Sequence, residues 1–286
     1  MLELDKPSQR FAPSSTARAP GEVASPGAPW DEVALLIDLD WAPDFAVAQA
    51  AARLSRARVR ATWFVTHETR ALRPIVEERE LFELGIHPNF LPGSSHGRSP
   101  SEVLAHCLGL VPGARALRTH GLVQSTAILE HVLRETALEV DASLFLPRTS
   151  HLQPLEYFWA GRSLCRLPVY FEDDFEMEQP RPEWSLPALL GEKPGLKLFA
   201  FHPIHLVLNG SDQRPYRALK ARCPRLGAAR ESDLDDLVGH GPGPSTLFEE
   251  LLAFLGQGGG GRTLDQISSA WRRTRSAEPR PEGRPR

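Results

Sequence analysis

Cysteine is scarce in this chain, with three in 286 residues, at Cys107, Cys165 and Cys223. An odd number at wide spacing writes neither a disulfide framework nor a cysteine-rich zinc site, and a reducing compartment fits best. No stretch of about 18 apolar residues is present to span a bilayer, and the opening Met1-Leu2-Glu3-Leu4-Asp5-Lys6 has neither the basic region nor the apolar run of a signal peptide. The expectation is a cytoplasmic protein with no membrane insertion. An excess of basic charge is also missing: 33 Lys and Arg stand against 36 Asp and Glu, for a net charge of -3. That leaves no electrostatic footprint for nucleic acid or an anionic membrane surface. No internal repeat is visible.

What is present suffices for one large soluble domain, since 41% of the residues are apolar and 24% charged. Residues 1–30 and 276–286, rich in Pro, Ala, Ser, Gly and Arg without apolar periodicity, read as disordered tails. Between them, over 31–275, short apolar runs alternate with helix-like stretches. Strands are expected at 33–37, 59–65, 82–86, 116–118, 139–141, 164–169 and 196–202. Helices are expected at 43–57, 72–80, 99–110, 125–135, 245–255 and 264–273, with Ser99 capping and Pro100 in the first turn. This is a βαβ rhythm, and polar clusters follow the strands, as on the active face of parallel α/β barrels.

The leading cluster is Asp38-Leu39-Asp40, directly after the aliphatic run Ala34-Leu35-Leu36-Ile37. Two carboxylates at a strand end cost several kcal/mol, of order, if buried unpaired, so a cation is expected beside them. Further clusters are His87; Ser94-Ser95-His96; Arg118-Thr119-His120-Gly121; Glu172-Asp173-Asp174; and His202-Pro203-Ile204-His205. One carboxylate and two neutral imidazoles with an open position make a hydrolytic zinc-type site, and the remaining Asp, Arg and His can serve as base, orienter and acid. Asp-x-Asp after a strand also marks haloacid-dehalogenase-type phosphatases and Mn²⁺-dependent glycosyltransferases. The first would have a small residue and then Thr or Val where Trp41-Ala42 stands, and the second leaves the histidines without a role.

The ordered set resembles the NodB-like polysaccharide deacetylases of carbohydrate esterase family 4, in the branch found among lipopolysaccharide and O-antigen biosynthesis proteins. Asp38-Leu39-Asp40 resembles the first motif, normally an adjacent Asp pair of catalytic base and metal ligand. Ala61-Thr62-Trp63-Phe64-Val65 is similar to the Ala-Thr-Phe-Phe strand, and Glu83-Leu84-Gly85-Ile86-His87 to the strand ending in the first metal-binding His. Arg118 to Gly121 is similar to the segment whose Arg steadies the base, and Phe201-His202-Pro203 to the motif whose His is the general acid. The resemblance spans about residues 33–209. It implies a distorted (β/α) barrel of fewer than eight strands and a divalent ion, Zn²⁺ foremost, held by Asp40, His87 and His96. It further implies Asp38 as base steadied by Arg118, His202 as acid oriented by Asp174, and Asp173 and His205 in support. The reaction implied is removal of an N-acyl group from a sugar in cell-surface polysaccharide biosynthesis; a non-catalytic carbohydrate-binding relative is the alternative.

Three positions depart from the family pattern. Leu39 splits the Asp pair, so on an extended strand Asp38 and Asp40 would share a face unless the chain turns there. Leu91 stands where the second histidine falls, four residues after His87; His96 is the nearest imidazole, with Asn89 and His120 as alternatives. Thr119-His120 replaces the usual Pro and adds an imidazole near the site.

Overall fold

A computed structural model describes residues 30–191 and 193–277. The tails expected from composition lie outside the described residues, except at Trp30, buried in the core, and at Ser276 and Ala277, which extend the last helix.

Among the described residues nine strands form one sheet: β1 (Val33–Asp38), β2 (Ala61–Val65), β3 (Phe82–Ile86), β4 (Ala116–Leu117), β5 (Val140–Asp141), β6 (Leu155–Trp159), β7 (Arg162–Arg166), β8 (Val169–Glu172) and β9 (Lys197–Phe201). Their order is β6-β7-β5-β4-β3-β2-β1-β9-β8, parallel throughout except for β6 against β7. β1, β2 and β9 are wholly apolar or nearly so and buried along their length, as strands covered on both faces must be. Gly85 on β3 is required by packing: a Cβ there would lie 2.7 Å from the Phe64 ring and 2.8 Å from the Ala116 carbonyl.

The count of nine corrects the expected fewer than eight, for two reasons. A hairpin through Ala160-Gly161, both at positive φ, adds β6 as an antiparallel edge. Pro168, with no N–H to give to a ladder, divides the expected 164–169 strand into β7 and β8. These two lie towards opposite ends of the strand order yet are joined by Leu167-Pro168 alone, so the sheet has to curl round on itself. The seam is made by the stretch after β5, where Val169 N–H donates to Leu144 O (2.8 Å) and Leu146 N–H to Val169 O (2.9 Å). The architecture is thus the distorted α/β barrel, curled rather than fully closed.

Helices α1 (Asp44–Ala57), α2 (Leu72–Glu77), α3 (Pro100–Leu110) and α4 (Thr126–Glu135) fill the crossovers, and α5 (Asp173–Met177) and α6 (Leu186–Leu190) separate β8 from β9. α1 buries Ala46, Val47, Ala50, Ala51 and Leu54 at helical spacing. Ser99 and Ser125 accept the amides of Glu102 and Ile128 and start α3 and α4, about 1 kcal/mol each. After β9 come α7 (Pro203–Leu208), α8 (Arg214–Arg222), α9 (Pro244–Gln257) and α10 (Leu264–Ala277). The C-terminal ends of β1, β3, β4, β8 and β9 converge on one edge of the barrel. No helix among the described residues is long and apolar enough to cross a membrane.

Candidate active site

β1 delivers Asp38 as its last residue, and the chain then turns sharply. Asp40 and Trp41 both adopt the left-handed conformation, at φ 44° and 53°. The turn is held by Ala42 N–H on Leu39 O (2.8 Å) and by Trp41 N–H on Thr66 Oγ1 (3.1 Å). Two successive non-glycine residues at positive φ cost about 1–3 kcal/mol each, and the return is local: Leu39 goes into the core while both carboxylates face the same cleft. Asp38 and Asp40 therefore converge through a turn, not through an extended strand.

Arg118, fully buried after β4, fixes Asp38. Its Nε donates to Asp38 Oδ2 (2.6 Å), its Nη1 donates to Ala142 O (2.7 Å), and its Nη2 pairs with Glu172 Oε1 at 2.7 Å. One guanidinium thus serves two buried carboxylates. Burial, opposed by Arg118 and reinforced by Asp174 and Asp38, pushes the Glu172 carboxyl up to about 7. The Arg118 guanidinium is itself driven up, since Asp38 and Glu172 outweigh the cost of burial.

Asp40 is the hub of the second group. Its Oδ1 lies 3.0 Å from His87 Nε2 and 3.0 Å from His120 Nδ1, and its Oδ2 lies 3.4 Å from His202 Nε2. Burial works against ionisation of Asp40, but His87, His120 and His202 together hold it well below the usual carboxylate range. Burial likewise opposes, and Asp40 overcomes, so that the His120 imidazole rises above 6.5. Asp40, His87 and His120 present ligand atoms all within 4.8 Å of one another.

His96 is not among them, which corrects the expected ligand set. Its Nε2 meets Thr66 O at 2.8 Å, and its Nδ1 accepts the Asn89 N–H at 3.1 Å, with Cys107 Sγ 3.3 Å away. The loop between Pro88 and Ser95 closes on itself, so His96 spends both ring nitrogens on holding it. Burial lowers its basicity, only partly offset by the Thr66 carbonyl. Asn89 is equally committed, its Oδ1 accepting Leu91 N–H (2.9 Å).

His202 follows β9. Its Nδ1 meets Asp173 Oδ1 at 2.6 Å and its backbone N–H donates to Asp173 Oδ2 (2.9 Å), while Nε2 faces Asp40 and, at 3.9 Å, Asp38. Against the cost of burial, Asp173 and then Asp40 raise this imidazole well above 6.5. Asp173, not Asp174, is the partner. β8 ends at Glu172, and the switch to α5 turns fully buried Asp173 inwards, whereas the Asp174 carboxylate accepts Phe175 N–H (2.6 Å) in its own helix. A shift of one residue at a strand end changes the face. His205 lies beside the same carboxylate, its Nδ1 3.4 Å from Asp173 Oδ1 without a hydrogen bond between them.

Sequence reasoning gave no role to Glu172 or to the carbonyl of Ala142. Glu172 carried a signal, since it closes an apolar strand as Asp38 does; Ala142 carried none. A cavity of about 650 Å³ lies elsewhere, by the N-terminal ends of β5 and β7; there Glu139 pairs with Arg272 and Glu156 with Arg275, and Arg162 donates to the Leu133 and Thr136 carbonyls.

The profile of the WbmS-like polysaccharide deacetylases matches residues 35–220. Among solved structures, WbmS from Bordetella bronchiseptica, assigned as a polysaccharide deacetylase involved in O-antigen biosynthesis, is 33% identical over 79% of this chain and 91% of its own, with a TM-score of 0.64. The peptidoglycan deacetylase PdaC from Bacillus subtilis is 11% identical over 86% and 94%, TM-score 0.45; a carbohydrate esterase family 4 pseudoenzyme from Bacillus anthracis is 12% identical over 83% and 65%, TM-score 0.40. No curated protein matches the chain. The profile covers well over half the sequence, from β1 to α8, and includes every residue of the cleft: the chain belongs to the WbmS-like polysaccharide deacetylase family.

Proposed function

We propose that this protein is a metal-dependent hydrolase that removes an N-acyl group, of the acetyl kind, from a sugar during assembly of a cell-surface polysaccharide. The observation that carries the reading is that an arginine-held carboxylate, Asp38, and an aspartate-held imidazole, His202, flank one Asp40 carboxylate that two further histidines share. The pathway is carried over from WbmS, described as acting in O-antigen biosynthesis.

Asp40, His87 and His120 suit a divalent ion such as Zn²⁺: one carboxylate and two imidazoles converge, and the strained turn at Asp40 serves that convergence. When bound, such an ion supplies a Lewis acid for the acyl oxygen and acidifies water. Asp38, held in place by Arg118, accepts a proton from the attacking water. His202 gives its proton from Nε2 to the leaving amine, and Asp173 on Nδ1 fixes the tautomer and keeps the ring protonated at neutral pH. Glu172 holds the far side of the Arg118 fork and so fixes its plane.

Acetate release from N-acetylated sugars, free or carried on nucleotide or lipid, tests the reading alongside the metal content of the protein. Asp38→Asn is expected to keep fold and metal and to lose at least about 10²-fold in turnover. Full metal occupancy with no acetate released would favour a binding module, and phosphate release a phosphatase.

A further inference from the structure

The stretch after α7 doubles back across the cleft and is fastened on both sides. On the α5 side, Gln213 Nε2 donates to Asp174 O (3.2 Å) and Arg217 pairs with Glu178 at 2.7 Å. On the other side, the turn at Leu226–Ala228 lies against the β1 loop, where a Cβ on Gly227 would be 3.3 Å from Trp41 O. Between the two fastenings α8 presents Tyr216. Its ring packs against the small apolar cluster that includes Ile204 and Leu219 and meets His205 edge-on at 5.0 Å, and His205 lies 5.1 Å from His202. The ring is therefore held in place beside the acid side of the cleft.

Its hydroxyl is unspent. Among the described residues it makes no hydrogen bond, although the side chain is half-buried. The charges that bear on it are those of the cleft: burial, with Asp40 and Asp174 and against His202, pushes the phenol above its ordinary value of 10, so it stays a neutral donor throughout the neutral range. The cationic donors nearby are already committed, Arg118 to Asp38, Ala142 and Glu172, and His202 to Asp173.

We propose that Tyr216 is a catalytic residue, its phenol hydroxyl donating a hydrogen bond to the acyl oxygen of the sugar amide as that oxygen gains negative charge. A fixed neutral donor beside a forming oxyanion strengthens as the charge develops, so it lowers the barrier more than it tightens substrate binding. The proposal rests on the deacetylase reading above.

Tyr216→Phe keeps the ring and its packing and removes the hydroxyl alone. With zinc supplied, kcat on an N-acetylated sugar is expected to fall by about 10- to 10²-fold with KM within about twofold. A second readout is independent of turnover. The chain has three tyrosines; Tyr157 sits on the edge strand β6 and Tyr170 donates to Leu189 O inside the core. Acetate, the product anion, is expected to perturb the tyrosine ultraviolet spectrum of the wild type and not that of Tyr216→Phe. Unchanged kcat in Tyr216→Phe, or identical acetate difference spectra in the two proteins, would overturn the proposal. If the wild type releases no acetate from any N-acetylated sugar, the deacetylase reading fails, and the acetate titration alone decides Tyr216: a difference lost in Tyr216→Phe supports it, and no difference overturns it.

Discussion

Two groups of histidines meet at Trp41, one through His96 and the other through His120, and they do different things. Trp41 meets His96 at 5.3 Å and His120 at 5.2 Å between ring centroids. On one side His96 stacks on His106 at 5.0 Å and spends both ring nitrogens on the backbone, with Cys107 beside it. Burial lowers the His96 basicity and pushes the Cys107 thiol up to about 12, so neither carries charge. On the other side His87, His120 and His202 face carboxylates, and His120 and His202 are raised although burial opposes it. The partner decides the role: an imidazole bonded to a carbonyl is a neutral strut, and one aimed at a carboxylate can take a cation or hold a proton.

The largest effect is expected from deleting one imidazole on the carboxylate side. His87→Ala is expected to lose bound metal and at least about 10²-fold in activity while remaining folded, with elemental analysis and acetate release as the measurements. Retained metal would dissolve the distinction drawn between the two groups.

Next in size is the proton held by His202. Without the Asp173 carboxylate the imidazolium loses its stabilisation and gives up its proton at lower pH. Asp173→Asn should therefore move the alkaline limb of the pH-rate profile downwards, whereas Asp174→Asn should leave it in place. A limb moved by Asp174→Asn alone would reverse the assignment.

The smallest effect belongs to the backbone-bonded side. His96→Ala strands the Thr66 carbonyl and the Asn89 amide, so about 1–3 kcal/mol of stability should disappear, seen in denaturant unfolding, while metal content stays at the wild-type level. Loss of metal in this variant would return His96 to the ligand set.

The legible part of the site was its position along the chain. The polar clusters after β1, β3, β4 and β9 were recognisable because each follows an apolar run, and Arg118 lies where the resemblance puts it, on Asp38. Less legible was anything depending on one residue of register. Asp173 and Asp174 are adjacent and chemically alike, and only the bend from β8 into α5 turns one of them inwards. His96 and His120 stood as alternatives because a loop holding two prolines and a glycine does not declare where it returns. The β7–β8 break at Pro168 was missed for a related reason: the apolar run is continuous, and the proline interrupts only its hydrogen bonding.

Sequence alone determined the alternation of strands and helices, the capped start of α3, the family, and the strand ends that the polar clusters follow, because these follow from local hydrophobic period and short motifs. Tertiary structure alone decided that Asp40 reaches His87 and His120, that Arg118 serves Glu172 as well as Asp38, that Asp173 takes His202, and that Tyr216 returns to the cleft. Those partners lie from about a dozen to some 80 residues apart along the chain. Directional hydrogen bonds a few ångströms long select among them only after the sheet has curled and brought its strand ends together.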